Sequence, residues 1–258
     1  MLSQVEAHCR ELERCNQRGG RMLSLLDLLD AGTLDLDLAA HLMAHFSRGV
    51  SFMVGARPGG AGKTTVMCAC ANLWPADVGL AAATPEAVRS ALQSRPAAGV
   101  RGYICHEIGP GPYFAYLWGK DLRAYFELAE RGHLLAANLH ADTLEEARTQ
   151  VCAQNGVPER HFNAFRLLVF LGISRGFSIR RQITKVYLSD GNLPHQCVFE
   201  YKTGILRSWT DRIDGAWLSA CREFLDGAFR AKVRTIQDTR HRLVMFLADQ
   251  RDQTCTSE

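Results

Sequence analysis

The sequence lacks the features of an exported or membrane-spanning chain. Its first residues, Met1–Glu6, contain no basic segment followed by an apolar run, which a secretory signal peptide requires. Nowhere do roughly 18 consecutive apolar residues occur, the minimum for a transmembrane helix. We therefore expect a cytoplasmic protein.

A disulfide framework and a strong excess of charge are also missing. The chain has nine cysteines, and an odd number without a secretory signal indicates reduced thiols. Cys68 and Cys70 are closely spaced, but they follow a Gly-Lys-Thr-Thr segment where small apolar side chains suit a buried helix, so we expect packing rather than metal binding. The formal net charge is only +3 and no basic cluster occurs, so nucleic acid is not an expected partner.

The chain is long and apolar enough to fold around its own core. It has 258 residues, of which 47% are hydrophobic and 22% charged, as in ordinary soluble domains. No internal repeat and no low-complexity segment occurs. Three parts are predicted. They are a polar lead-in over 1–20 that forms a short helix or frays, a core with a β extension over 21–208, and a helical segment over 209–258.

Hydrophobic patterns in the first two thirds predict strands that alternate with helices. Such alternation implies βαβ units and a mostly parallel sheet. Thr143 and Glu146 have the spacing of a capping box at a helix start. The predicted strands cover 50–54, 78–83, 102–105 and 134–137, and the predicted helices cover 23–29, 35–48, 62–73, 119–131 and segments that begin at 85 and 142.

The pattern changes after residue 166. Short strands joined by Gly and Asn turns predict a small antiparallel extension, with Ser189–Asn192 as the clearest turn. Apolar residues from Trp217 onward recur at helical spacing and predict one long helix or a helical hairpin. That stripe is expected to pack in the core, with a partner or membrane surface as the alternative. The strands of the extension are predicted at Leu167–Leu171, Gln182–Leu188, Cys197–Tyr201 and Ile205–Ser208.

A glycine-rich turn between the strand at 50–54 and the next helix has the composition of a phosphate-binding loop. Backbone N–H groups in such a turn surround a phosphate at the positive end of the helix. Lys63 would reach the β- and γ-phosphates of ATP, and the Thr64 hydroxyl would ligate Mg²⁺. A plain surface turn would explain the glycines but not Lys63 and Thr64. Arg57 stands where the usual pattern has Gly. The predicted nucleotide-binding residues are Gly59, Gly60, Ala61, Gly62, Lys63, Thr64 and Thr65.

Two further residues are candidates for catalysis together with Lys63. Glu107 directly follows the apolar run Tyr103–His106, where a carboxylate could activate the attacking water. The alternative is that Glu107 only begins a surface loop. His140 ends another predicted strand and could contact the γ-phosphate, although a single histidine at a strand end is more often structural.

The order of these segments resembles the secretion ATPases of type II, type IV and Tad pilus systems. The resemblance covers about residues 22–205 and implies a RecA-like P-loop NTPase core that binds ATP and Mg²⁺. It places Glu107 at the Walker B glutamate and His140 at the His-box histidine. It also implies a homo-oligomer, a hexameric ring, located in the cytoplasm or peripherally at the inner membrane, with an inner-membrane platform protein as partner. The segments are Leu28–Leu34, the Gly-Lys-Thr-Thr turn with its strand, Thr84–Glu86, His106–Ile108, Gly132–His133, Leu139–Ala147 and Arg180–Val186.

The sequence departs from this family in several places. Ala82 and Ala83 replace its acidic box, and Gly109 stands where an arginine commonly follows the Walker B glutamate. Only about twenty residues precede the region of resemblance, so the N-terminal domain that covers the nucleotide is not expected.

Three functions therefore compete. The first is an ATP-hydrolysing motor subunit, and the second is a nucleotide-binding scaffold subunit with weak catalysis. The third is a P-loop kinase, which needs lid arginines. Arg101, Arg123 and Arg131 cannot be assigned that role from the sequence alone.

Overall fold

A mixed sheet lies at the centre of the computed structural model, which describes residues 2–16, 19–94, 99–175, 179–210 and 212–255. The described residues form nine strands in the order β2-β3-β5-β1-β6-β7-β8-β9, and β4 pairs with β3. Arg18, part of the predicted lead-in, lies outside the described residues. The strands are β1 (Phe52–Gly55), β2 (Gly79–Ala82), β3 (Arg101–Ile108), β4 (Tyr116–Leu117), β5 (Leu134–Leu139), β6 (Leu167–Arg175), β7 (Ile179–Leu188), β8 (Gln196–Glu200) and β9 (Gly204–Ile205).

The half of the sheet from β2 to β6 is parallel, and β1 lies inside it between β5 and β6. All four residues of β1 are buried, as expected for a strand covered on both faces. Parallel strands bring the carboxyl ends of β1, β3 and β5 to one edge of the sheet. The predicted α/β fold with a mostly parallel sheet is confirmed. One boundary differs, because β3 continues to Ile108 and Glu107 therefore lies within the strand.

The antiparallel extension consists of β7, β8 and β9. The Ser189–Asn192 turn between β7 and β8 is present, and the Asp190 carboxylate accepts the N–H groups of Asn192 and Leu193 at 2.8 Å each. The predicted strand from Ile205 to Ser208 is wrong beyond Ile205, because a short helix follows. Burial of Trp209 under the preceding helices accounts for this turn, since its indole N–H donates to His45 Nε2 at 2.7 Å.

Helices cover both faces of the sheet, and several begin at a side chain that caps the first turn. Asp35, Thr84 and Asp214 each accept a backbone N–H in this way, which satisfies a donor that the helix itself leaves free. The helices are α1 (Leu2–Arg14), α2 (Leu25–Asp30), α3 (Leu36–Phe46), α4 (Lys63–Ala71), α5 (Pro85–Gln93), α6 (Gly119–Glu127), α7 (Leu144–Arg148), α8 (Glu159–Ala164), α9 (Arg207–Thr210), α10 (Gly215–Arg230) and α11 (Ile236–Cys255).

One expectation about the helices needs correction, because the predicted helix over 119–131 ends at Glu127 and continues as a 3₁₀ turn, Leu128–Arg131. At the C-terminus the apolar stripe forms two helices, α10 and α11, and Trp217 and Phe224 on α10 pack against Phe246 on α11. Of the two predicted alternatives, the helical hairpin is therefore the one present.

The hydrophobic core extends across the predicted domain limits. On α1, Val5, Cys9, Leu12 and Cys15 are buried in the same cluster as the inner residues of α4. The N-terminal segment is therefore a packed helix and not a frayed lead-in. The division at residues 20 and 208 stays a prediction, since α1, α10 and α11 all contribute to this one cluster.

A buried arginine attaches α11 to the end of α4. The Arg240 guanidinium donates to the carbonyls of Asn72 at 3.0 Å and Pro75 at 2.8 Å, and to that of Trp74. Asn72 in turn donates to the Ile236 carbonyl at 3.1 Å. A cation is favourable at the C-terminus of a helix, where carbonyls are left unpaired. The C-terminal segment thus stabilises the helix that begins at Lys63.

We expect Arg240→Met to destabilise the fold by about 2 kcal/mol or more, because it leaves buried carbonyls without donors. The exposed Arg242 on the same helix gives a matched control, Arg242→Met. Urea unfolding of both variants measures the difference. Equal stability would contradict the importance of this contact.

A second prediction concerns the end of β1. A Cβ at Gly55 would lie 2.6 Å from the Ala141 carbonyl oxygen and 2.7 Å from the Phe170 ring. Gly55→Ala should therefore lower the free energy of unfolding by about 1–3 kcal/mol through overpacking. Gly79→Ala is the control, because a Cβ there meets nothing within 4 Å. A Gly55 variant as stable as the Gly79 variant would refute the close approach.

Candidate nucleotide-binding site

The loop between β1 and α4 has the backbone of a phosphate-binding turn. Gly60 and Gly62 have φ angles of 82° and 95°, a region that residues with a Cβ rarely occupy. Gly59 is not in that region. Gly62 precedes α4 and offers no side-chain cap, so the first N–H groups of α4 are available to an anion.

Lys63 brings the predicted catalytic residues together. Its ammonium nitrogen lies 3.3 Å from Glu107 Oε2 and 3.3 Å from His140 Nδ1, and it donates to the Ala56 carbonyl at 3.2 Å. The side chains of Lys63 and Glu107 are only 10% and 8% exposed. Residues from α4, β3 and the end of β5 therefore meet at one point at the carboxyl edge of the sheet.

The protonation of His140 follows from these contacts. An ammonium donor at Nδ1 requires that nitrogen to be the acceptor, so the proton of the neutral ring is on Nε2. Nε2 lies 3.6 Å from Glu107 Oε2. The ring is 54% exposed, so His140 connects the buried pair to the surface.

Glu107 has the environment of a base. Burial raises the pKa of its carboxyl, while the positive charge of Lys63 and the ring of His140 oppose this shift. Its Oε1 atom is buried and has no hydrogen-bond partner. A carboxylate with a raised pKa and an unused oxygen is suited to accept a proton at neutral pH. The alternative that Glu107 merely begins a surface loop is wrong, since it lies buried in β3.

Asn138 is a site residue that the sequence interpretation missed. Its Nδ2 donates to the His106 carbonyl at 2.9 Å and lies 3.4 Å from Thr64 Oγ1. The side chain is fully buried, and its Oδ1 has no hydrogen-bond partner. A signal was present, because Asn138 is the polar residue within the apolar strand Leu134–Leu139.

Arg57 has a structural explanation for its departure from the glycine pattern. Its backbone N–H donates to Asp142 Oδ1 at 2.7 Å, and its guanidinium lies 2.7 Å from Glu146 Oε1. The Asp142 N–H donates to the other Glu146 oxygen at 2.9 Å. Arg57 therefore links the phosphate loop to the segment that carries His140. The ion pair itself contributes little stability, because the Arg57 side chain is 61% exposed.

The capping box predicted at Thr143 and Glu146 is half formed. The Thr143 hydroxyl accepts the Glu146 N–H at 3.2 Å. The Glu146 carboxylate does not return to Thr143; it bonds the Asp142 N–H and Arg57 instead. Because both oxygens of the Glu146 carboxylate are used by Arg57 and the Asp142 N–H, the carboxylate does not complete the capping box.

On its other side the loop contacts β7. Arg181 Nε donates to the Gly60 carbonyl at 2.7 Å, and its side chain passes over Gly62. The sequence places Arg181 on a strand but gives no sign that this strand reaches the loop.

Several candidate residues lie elsewhere. Arg101 and Arg131 line a cavity of about 250 Å³ between α5 and the amino-terminal ends of β3 and β5, at the opposite edge of the sheet from Lys63. Arg123 donates to the Asn155 carbonyl at 2.7 Å. None of these arginines is among the residues that contact Lys63. Ala82 and Ala83, at the end of β2, have methyl groups that cannot ligate a metal.

The donor set fits a magnesium–nucleotide complex better than a metal site built by the protein. Within the described ranges no group of three or more His, Cys, Asp or Glu side chains could hold a metal ion. Mg²⁺ takes oxygen ligands and is usually held by one or two protein groups, substrate phosphates and water. Thr64 Oγ1, Glu107 Oε1 and Asn138 Oδ1 are oxygens of the right kind near the loop.

Cys68 and Cys70, which were expected to pack in the core, are both buried.

Among the described residues, no helix has the length and apolar character needed to cross a bilayer.

Two solved ATPase structures match the chain over more than half of its length. The VirB11 ATPase from the Brucella suis type IV secretion system, solved in complex with sulphate, is 20% identical with a TM-score of 0.45, and the match covers 64% of this chain and 54% of that one. The Legionella pneumophila ATPase DotB is 15% identical with a TM-score of 0.42, covering 77% and 57%. The chain spans little more than half the length of these two structures, and no family model and no curated protein matches its sequence.

The raised pKa of Glu107 predicts a pH-dependent effect of Glu107→Gln. The folded state holds the carboxyl proton more tightly than the unfolded state does, which contributes stability below the ordinary glutamate pKa of about 4. That contribution is lost as the pH rises through the folded pKa. Glutamine carries no such penalty, so the stability of the variant relative to wild type should increase as the pH rises above about 4.

Urea unfolding at a series of pH values above about 4 measures the effect, with the exposed Glu127→Gln as a matched control for removal of a carboxyl group. A stability difference for Glu107→Gln that is flat with pH, or that falls as the pH rises, would contradict the raised pKa.

Proposed function

We propose that this chain binds ATP with Mg²⁺ at Gly59–Thr65 and hydrolyses it as the motor subunit of a type II, type IV or pilus secretion system. The observation that carries the proposal is the position of the Lys63 ammonium, 3.3 Å from both Glu107 and His140. Three residues chosen from separate sequence motifs thus lie at one phosphate-binding turn.

Binding would begin at the N-terminus of α4. Its free N–H groups and the left-handed glycines Gly60 and Gly62 form an anion site, and the helix dipole favours negative charge there. The Lys63 ammonium lies 3.3 Å from the Glu107 carboxylate. A phosphate group would take over the ammonium and leave Glu107 free to act as a base.

Glu107 would then accept the proton of the attacking water. Its raised pKa and its unpaired Oε1 suit this role, and burial keeps the carboxylate away from competing solvent. His140, whose Nε2 lies 3.6 Å from Glu107 Oε2, would stay beside Glu107 while the exposed side of its ring contacts the terminal phosphate. When bound, Mg²⁺ would neutralise charge on the phosphates, with the Thr64 hydroxyl as its protein ligand.

The link between hydrolysis and movement is proposed to run through the segment 140–146. This segment carries His140 at the surface and is tied to the phosphate loop by Arg57. The family that this chain resembles in its motifs assembles as hexameric rings. We propose the same assembly here, a homo-hexamer in the cytoplasm that associates with an inner-membrane platform protein.

A second function is supported by a specific observation. Ala82 and Ala83 provide no carboxylate at the edge of the sheet, and the Lys63 ammonium lies 3.3 Å from Glu107 Oε2. Both features favour a nucleotide-binding scaffold subunit with weak turnover.

Nucleotide binding and turnover can be separated by three variants. ATP with Mg²⁺ should stabilise wild type by about 2.7 kcal/mol at about one hundred times its Kd, and Lys63→Ala should abolish that gain. Glu107→Gln should keep the stabilisation but lower phosphate release by about 10²- to 10⁴-fold, because it removes the base. Lys120→Ala, an exposed lysine on α6, is the control and should behave as wild type.

Thermal unfolding and phosphate release on purified protein decide among the outcomes. Stabilisation by ATP with negligible release in wild type would favour the scaffold function. Stabilisation that survives Lys63→Ala would contradict the proposed binding loop itself.

A further inference from the structure

Asn138 has an unused hydrogen-bond acceptor beside the proposed magnesium ligand. Its amide nitrogen is 2.9 Å from the His106 carbonyl and 3.4 Å from Thr64 Oγ1, while its Oδ1 is buried and unpartnered. Buried polar atoms in folded proteins nearly always have a partner. An unpartnered acceptor on a side chain that contacts Thr64 therefore points to a donor that arrives with the ligand.

The orientation of the carboxamide is fixed by its neighbours. The His106 carbonyl can only accept, so the amide nitrogen of Asn138 must face it, and Oδ1 must be directed away from it. The Thr64 hydroxyl has one proton and two acceptor positions. Accepting from Asn138 uses one of those positions and leaves the other for a cation.

The chemistry of Mg²⁺ explains what the donor would be. This ion keeps several of its waters when it binds with a nucleotide, and the protons of those waters point away from the metal. They need acceptors on the protein. In the family that this chain resembles, an acidic box stands at the positions of Ala82 and Ala83, whose methyl groups cannot accept. Asn138 Oδ1 belongs to the carboxamide whose nitrogen lies 3.4 Å from Thr64 Oγ1, and it has no hydrogen-bond partner.

We propose that Asn138 is a positioning residue for Mg²⁺: its amide nitrogen orients the Thr64 hydroxyl, and its Oδ1 accepts a hydrogen bond from a water held by the metal. The inference rests on the proposed nucleotide-binding function and extends it. In this proposal the neutral carboxamide of Asn138 on β5 accepts a hydrogen bond from a metal-bound water, a role that carboxylates on β2 could otherwise have.

The test compares ADP affinity in the presence of Mg²⁺ with that in the presence of a chelator, using titration calorimetry on the full chain. ADP is not hydrolysed, so turnover does not enter. Asn138→Leu keeps the volume but removes both polar atoms. It should reduce the gain in affinity from Mg²⁺ by about tenfold or more, as loss of groups that support metal ligands does, with little change in the chelator.

Asn138→Asp should act in the opposite direction. Its added charge weakens binding of ADP without metal and offers the metal water a stronger acceptor, so the gain from Mg²⁺ should exceed that of wild type. Asn163→Leu is the matched control, because Asn163 is also buried and donates to one backbone carbonyl, that of Asn192. It should leave the magnesium gain unchanged. If Asn138→Leu does not fold, the opposite response of Asn138→Asp still tests the proposal.

Several results would overturn it. If both Asn138 variants weaken binding equally with and without Mg²⁺, Asn138 only supports the loop. If wild type binds ADP with no gain from Mg²⁺, or if the variants match wild type, the inference fails while nucleotide binding stands. If wild type binds no ADP under either condition, the proposed function fails and this inference with it.

Discussion

The site depends on one buried charge, the ammonium of Lys63. At 10% exposure it cannot be satisfied by bulk water, so the protein must supply partners for it. They come from three places: the Glu107 carboxylate on β3, the His140 ring after β5 and the Ala56 carbonyl of the phosphate loop. These groups can meet only if β5 lies between β1 and β3, with all three strands running in the same direction. The polar contacts of Lys63 therefore depend on the order and direction of these strands.

Much of this arrangement could be predicted from the sequence because it is encoded locally. A buried strand, a glycine turn and Lys63-Thr64 are contiguous, and a polar residue near the carboxyl end of each following strand must reach the same edge if the sheet is parallel. Glu107 and His140 were found in this way. Arg57, Arg181 and Asn138 were not assigned, because each acts on a residue distant in sequence, such as Asp142 or Gly60. Hydrophobic periodicity contains no information about such pairs.

The differences between prediction and structure at residues 1–20 and 205–208 have another origin. Residues 1–20 look polar when counted together, which left a short helix and a frayed lead-in as alternatives, yet Val5, Cys9 and Leu12 occupy one face of α1 and are buried. An average composition does not show a stripe of this kind. Ile205–Ser208 was predicted as a strand, but α9 begins at Arg207, and burial of Trp209 against His45 outweighs the local preference. Both cases are decided by tertiary packing, which local propensity cannot report.

Because Arg240 contacts the segment at the end of α4, the two ends of this helix lie against different parts of the protein. The first residue of α4 is Lys63. Just beyond its last residue, the carbonyls of Asn72 and Pro75 accept hydrogen bonds from Arg240 of α11. The helix has nine residues, so only about 13 Å separates the phosphate loop from the C-terminal segment. A displacement of α11 would pass through this short helix to the glycine-rich turn before Lys63. The C-terminal helices and the proposed nucleotide-binding turn are therefore joined by one short element.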